Sequence, residues 1–256
     1  MKGTAVAKPA PAQVAKVAVP PALTVKNAAQ LDTVWTHWFF YGDTGSGKTE
    51  MAHTFPRPLF LAPSNEGSIV TLRGRNQPYI EITGMSKKPL KDGSGSMNGA
   101  LDAIERMYRA DPDNFPYDTI VIESISHYGD LVIDELTDGG AGQMSQNLWG
   151  TFGAHLKSIQ TRLRTMDVHV VFNALAKTES SEDRKKLFGG PYIQGQSADK
   201  LPSACDVYGY VELYGDQYRV HFKKYQHFPA RTRFSRMPKM VTDFNYEDMK
   251  PYLEVV

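Results

Sequence analysis

Apolar positions along this chain fall into two kinds of run that alternate. Short, dense blocks of β-branched and aromatic residues, at Val34 to Tyr41, Pro58 to Ala62, Thr119 to Ile122 and Val168 to Leu175, read as strands buried on both faces. Between them, apolar residues recur every three or four positions. Asn98 to Ala110 carries Leu101, Ile104 and Met107 on one helical face, and Leu148, Phe152, Ile159, Leu163 and Met166 share a face of a longer helix. Buried strands alternating with amphipathic helices predict an α/β fold, a mostly parallel central sheet flanked by helices. Toward the C-terminus the rhythm changes. Val207 to Tyr214 and Tyr218 to Tyr225 alternate around Gly215 and Asp216, which predicts a β-hairpin.

Residues 1–30 do not fit this pattern. They are rich in Ala, Pro and Val, carry Lys2, Lys8, Lys16 and Lys26 with no acidic residue, and predict a disordered basic tail. Pro20 and Pro21 interrupt its one apolar patch, so it does not read as a secretory signal. The expected domain spans 31–240, followed by a short acidic segment, 241–256. The 256 residues suffice for one sizeable α/β domain. Apolar residues make up 41% of them, and no apolar run approaches the roughly 20 positions that span a bilayer, so no membrane role is expected. Cys205 is the single cysteine, which excludes an internal disulfide and points to a reducing, cytoplasmic setting. The formal net charge of +1 conceals a local bias, because 219–239 holds seven Lys or Arg and no acid. Such a run is either a solvated face or a mark of a phosphate-rich partner.

The chemistry begins where the first strand ends. Gly42, Asp43, Thr44, Gly45, Ser46, Gly47, Lys48 and Thr49 fit G-x-x-x-x-G-K-[ST], with a strand before and helix-forming residues, Glu50 to Thr54, after. The glycines let successive N–H groups curl around phosphates at a helix N-terminus, Lys48 reaches the β and γ phosphates, and Thr49 offers its hydroxyl to Mg²⁺. ATP with Mg²⁺ is the expected ligand. A carboxylate at a neighbouring strand's end completes such a site, and Glu123, with Ser124 beside it, stands where the strand Thr119 to Ile122 emerges. Its extra methylene suits it either to hold a magnesium water or to act as a base; the plainer alternative is a solvent-facing strand end. Glu66, just past another strand, is a candidate for orienting an attacking water, though a lone loop Glu is more often a surface charge. Asn173 ends the strand after the long helix and either senses the γ phosphate or caps the strand. The polar stretch Ala176 to Lys200 is too long for an ordinary connection and reads as functional or mobile.

In this order the elements resemble the RecA-type ATPase core. The segments YDTIVIESIS, NLWGTFGAHLKSIQTRLRTMDVHVVFNALAK and LPSACDVYGYVEL are similar to compact phage-encoded RecA-like ATPases of the Sak group, over roughly Trp38 to Phe234. The resemblance implies an ATPase that binds single-stranded DNA and promotes annealing or strand exchange in recombination. It makes Glu66 the catalytic base, Glu123 the metal-side carboxylate and Asn173 a polar sensor. It implies a homo-oligomer, ring or short filament, with ATP at subunit interfaces, and a single-strand-binding protein as a further partner. It directs two loops, Asp138 to Asn147 and Ala176 to Lys200, toward DNA, where Phe188 and Tyr192 are candidates to stack on bases. Ala230 to Phe234 is similar to the Lys-Asn-Arg-Phe-Gly segment of RadA-type ATPases, with Arg231 and Arg233 as the cations that act across the interface; Lys223 and Lys224 are the alternative donors. Two departures stand out. Glu replaces the usual Asp at 123, and the chain lacks the flanking domains of full recombinases, which puts a long filament in doubt. A ring-forming motor, such as a helicase or packaging translocase, stays open, and a small-molecule kinase is the weakest reading because the basic residues lie far from the phosphate loop.

Overall fold

A computed structural model describes residues 35–85, 95–180 and 187–253. The expected tail at 1–30, and Arg184, Lys185 and Lys186 of the long polar stretch, lie outside the described residues. The described fold falls within one unit, Trp35–Val256. Its order is β1 (His37–Gly42), α1 (Lys48–His53), β2 (Pro58–Pro63), β3 (Tyr79–Ile82), α2 (Met97–Ala110), β4 (Thr119–Glu123), α3 (Ile125–Leu136) and α4 (Gln146–Leu163). There follow β5 (His169–Ser180), β6 (Leu187–Pro191), α5 (Ser197–Ser203), β7 (Val207–Tyr214), β8 (Gln217–His221), β9 (Arg231–Thr232), β10 (Met240–Thr242) and α6 (Tyr246–Leu253). The α/β fold with a mostly parallel sheet flanked by helices is as predicted.

Six strands run parallel in the order β7-β1-β5-β4-β2-β3, and β8 and then β10 extend the β7 edge antiparallel. Period-two alternation sorts β1 between two cores. Phe39 and Tyr41 join Leu61, Ile122 and Phe172 beneath α2, α3 and α4. Trp38 and Phe40 face the other way, with Phe60, Val121 and Val171, against Met51 and Phe55 around α1 and Tyr246 and Met249 of α6. Both faces of the central strands are therefore dry, which is why their sequences are continuously apolar.

Three expectations need correction, and one helix was not anticipated. The stretch after Leu175 is not a simple loop: β5 continues to Ser180 and pairs antiparallel with β6, Ala176 opposite Pro191, before α5 forms. Its consecutive polar residues, Lys177 to Ser180, suit a ribbon that leaves the core, and Gly189 permits a close approach, since a Cβ there would stand 2.3 Å from the Phe228 ring. The second hairpin strand ends at His221, four residues short of Tyr225. α3 went unpredicted although Ile125, Tyr128, Val132 and Leu136 recur at helical spacing; Gly129 within it and the strand just before obscured the period. The segment 241–256 supplies β10 and α6, whose buried Tyr246, Met249 and Leu253 make it part of the core.

Candidate functional site

The phosphate loop is built by glycines where the sheet leaves no room. At Gly42 a Cβ would meet the Val211 carbonyl oxygen at 2.1 Å, so β1 and β7 close on each other only because it is absent. Gly45 and Gly47 adopt φ of +81° and +89°, the left-handed region that turns the chain into α1. The helix opens at Gly47 without a side-chain cap, as an anion-binding N-terminus requires. Lys48 folds back into the loop, its Nζ donating to the Gly42 carbonyl at 2.9 Å, the Asp43 carbonyl at 2.8 Å and Ser46 Oγ at 3.2 Å. Burial lowers its pKa, opposed by the charges of Glu123, Asp43 and Glu66.

Strand register brings the second half of the site alongside. β5 lies between β1 and β4, with Asn173 paired to Phe40 on one side and Glu123 on the other. The Asn173 amide nitrogen donates to Glu123 Oε2 and to the Lys48 carbonyl, the latter at 3.2 Å. It thus ties the phosphate loop to the metal-side strand. Glu123 is only 2% exposed, so it is not a solvent-facing strand end. Burial pushes its carboxyl up to about 7, against the hydrogen bond from Asn173, the Lys48 charge and the hydrogen bond from Thr49, while Glu66 raises it further. The peptide from Glu123 to Ser124 is cis. Ser124 caps α3, and its hydroxyl contacts His127 Nδ1 at 2.9 Å. Glu66 accepts from the Ser68 N–H at 2.7 Å and from the Ser68 hydroxyl; its charge acts on both Lys48 and Glu123, which places it at the same end of the sheet.

A family model described as an AAA domain, AAA_24, matches residues 36–234. The chain belongs to that AAA domain family. No curated protein matches it. An AAA-type P-loop ATPase domain binds a nucleoside triphosphate, typically with Mg²⁺, and the residues here fit that pair. Asn173 Oδ1 is buried with no hydrogen-bond partner, and Thr49 and Glu123 place two oxygen donors together beneath the loop, the hard ligands Mg²⁺ takes alongside phosphate and water. The metal would offset charge gathering on the phosphates; Lys48 would hold their oxygens, and Thr49 and Glu123 would hold the metal.

Other residues expected from the RecA-type resemblance lie elsewhere. Arg231 is level with Tyr208 and Phe39, roughly 10 Å back along the sheet from Gly42. Its Nη2 donates to the carbonyls of Pro202, Ser203 and Cys205 at the C-terminal end of α5. Arg233 pairs with Asp206 at 2.9 Å. Neither belongs to this chain's own phosphate site, because β9 pairs with the amino end of β7 and the loop follows the carboxyl end of β1. Lys223 and Lys224 are exposed just past β8. Asp138, Gly139 and Gly140 all have positive φ in the exposed turn between α3 and α4. Phe188, on β6, is 56% exposed. One residue near the site escaped sequence reading: the Tyr218 ring lies over Gly47, 2.8 Å from where its Cβ would be. Only pairing of β8 beside the loop reveals it; no motif signals it. No helix among the described residues is long and apolar enough to cross a membrane.

Proposed function

We propose that this AAA-type ATPase is a RecA-like protein of the phage Sak kind, one that hydrolyses ATP while bound to single-stranded DNA and promotes annealing or strand exchange. The observation that carries the proposal is the Asn173 bridge. A strand inserted between the phosphate-loop strand and the Glu123 strand presents one polar side chain to both, and then runs on without a break into the β5–β6 ribbon. In this reading a change at Asn173 on phosphate binding is passed along one strand into the described ribbon. Its outer described pairs carry Leu187 and Phe188, at 54% and 56% exposure, with Lys177, paired to Glu179, at its base. Exposed aromatic and cationic groups suit stacking on unpaired bases and contact with their phosphates. In this reading Glu66 orients the attacking water, Glu123 and Thr49 hold Mg²⁺, and Asn173 senses the γ phosphate.

The AAA family match supports a ring-forming motor as the second reading. One pair of measurements separates them: ATPase rate with and without single-stranded DNA, and annealing of complementary oligonucleotides. Stimulation by single strands together with faster annealing supports the proposal. Stimulation by duplex with directional unwinding or translocation supports the motor, and DNA-independent hydrolysis removes both.

A further inference from the structure

Between α4 and α5, on the sheet face opposite α1, lies a cavity of about 830 Å³ that the ATPase site does not use. Its walls are apolar, formed by Trp149, Phe152, Leu156, Leu201 and Ala204. Two glycines shape it. A Cβ on Gly153 would meet nothing closer than Ser197 Oγ at 3.8 Å, so the space beside α4 exists because that side chain is missing. Gly195, at φ +63°, lies against the Trp149 ring, whose Cε3 is 3.3 Å from where a Cβ would be. A space of this size accommodates bulky apolar side chains of a ligand.

The charge at its mouth gives the cavity a sign. Lys157 and Lys200 are exposed residues of its lining. Lys200 donates to the neutral Gln196 Oε1 at 2.8 Å, and neither ammonium meets a carboxylate among the described ion pairs. Arg164 adds a third cation near the far end, donating to the Ala204 carbonyl at 2.6 Å. The cavity is thus apolar inside and positive around its mouth.

We propose that it is a docking site for an acidic peptide segment of a partner protein. A bulky apolar residue of the peptide fills the space between Trp149 and Leu201, and flanking carboxylates meet Lys157 and Lys200. Charge selects this occupant over the chain's own residues 1–30, whose four lysines and lack of acids have the wrong sign. The site is separate from the phosphate loop, so its test stands whether or not the DNA reading holds.

The test is fluorescence anisotropy on the full chain without nucleotide. The probe is a dye-labelled peptide of Asp and Glu residues ending in Leu-Phe, and its control carries Ser-Ser in place of Leu-Phe. Expected are saturable binding of the first peptide alone, accompanied by a change in tryptophan emission, and loss of about tenfold in affinity on raising salt from low to physiological. Gly153→Leu, which fills the cavity while improving helix propensity, abolishes binding and leaves ATP hydrolysis unchanged. Lys157→Glu and Lys200→Glu weaken binding without altering the apolar wall. Equal binding of both peptides reduces the effect to surface charge and overturns the proposal, as does undiminished binding by Gly153→Leu. Absence of binding, with Gly153→Leu changing the oligomeric state, assigns the cavity to a second copy of the chain.

Discussion

At the scale of single residues, the proposed function divides the site into groups that hold, sense and orient. Lys48 makes all three of its hydrogen bonds within its own loop, so Lys48→Ala removes the phosphate contact and loosens the loop together. Hydrolysis should fall about 10²-fold or more, read as ATPase rate, while far-ultraviolet circular dichroism stays unchanged. Glu66→Gln should bind Mg²⁺ and ATP nearly as well as the parent and hydrolyse slowly, whereas Glu123→Gln should weaken metal-dependent binding. Equal losses of binding in the two variants would count against that division. Glu123 also sets a pH dependence. Burial pushes its carboxyl up to about 7, and in the proposed role of metal ligand it must be ionised, so Mg²⁺-dependent ATP binding should expel a proton at lower pH. Affinity should therefore rise about tenfold per unit as pH climbs toward 7 and level off above it. In Glu123→Gln the step should vanish; calorimetric titration in buffers of different ionisation heat measures it. Of these residues, those in the phosphate loop were legible because the motif fixes four residue types at set spacing within eight consecutive positions. Glu66 and Glu123 were legible as strand-end carboxylates. Tyr218 was not, because its place over Gly47 depends on strand pairing, which no local pattern encodes.

At the scale of elements, tight strand contacts rather than propensities hold the loop in place. Gly42 and Gly45 serve different needs, and alanine distinguishes them. Gly42→Ala must push β1 away from the Val211 carbonyl and should cost about 3 kcal/mol. Gly45→Ala meets no atom within 4 Å and pays only for its positive φ, about 1 kcal/mol. Urea unfolding of both variants checks the order; a larger loss at Gly45 would show that loop strain, not the β1–β7 approach, dominates. The strands of the parallel core could be read from the sequence because burial on both faces leaves a continuous apolar signature, seen in Phe39–Tyr41 and Val170–Phe172. The β5–β6 ribbon could not: Lys177, Thr178, Glu179 and Ser180 look like loop because the ribbon has left the core, and their partner β6, with Gly189, Gly190 and Pro191 in five residues, has the composition of a turn. α6 was hidden for another reason. Its acidic first turn and Pro251 resemble a tail, yet every third or fourth residue, Tyr246, Met249 and Leu253, points into the core.

At the scale of the whole molecule, the open question is whether one subunit completes another's site. Arg231 and Arg233 were expected to reach across an interface, and within this chain both are already occupied. Arg231 satisfies carbonyls at the end of α5, where a cation also suits the helix dipole, so Arg231→Ala should lower the melting temperature by exposing three acceptors without a donor. Arg233 is different. Its bond to Asp206 is half exposed, and such pairs contribute about 0 to 1 kcal/mol, so little holds it back from a stronger partner. A γ phosphate in a water-poor cleft is such a partner, and a guanidinium delivered there is worth about 10³ to 10⁵ in rate in the best cases. Arg233→Ala should therefore keep its melting temperature within a few degrees and lose most of its ATPase activity, the reverse of Arg231→Ala. Mixing identifies the origin of the loss. If Arg233 serves a neighbour, Arg233→Ala protein combined with Glu66→Gln protein regains activity, because a mixed interface pairs an intact glutamate with an intact arginine. If the mixture stays inactive while Arg233→Ala alone binds single-stranded DNA more weakly, Arg233 belongs to the DNA footprint. In that case the charge of 219–239 is explained by nucleic-acid phosphate, and salt should weaken DNA binding less steeply in the variant, through one fewer released counterion.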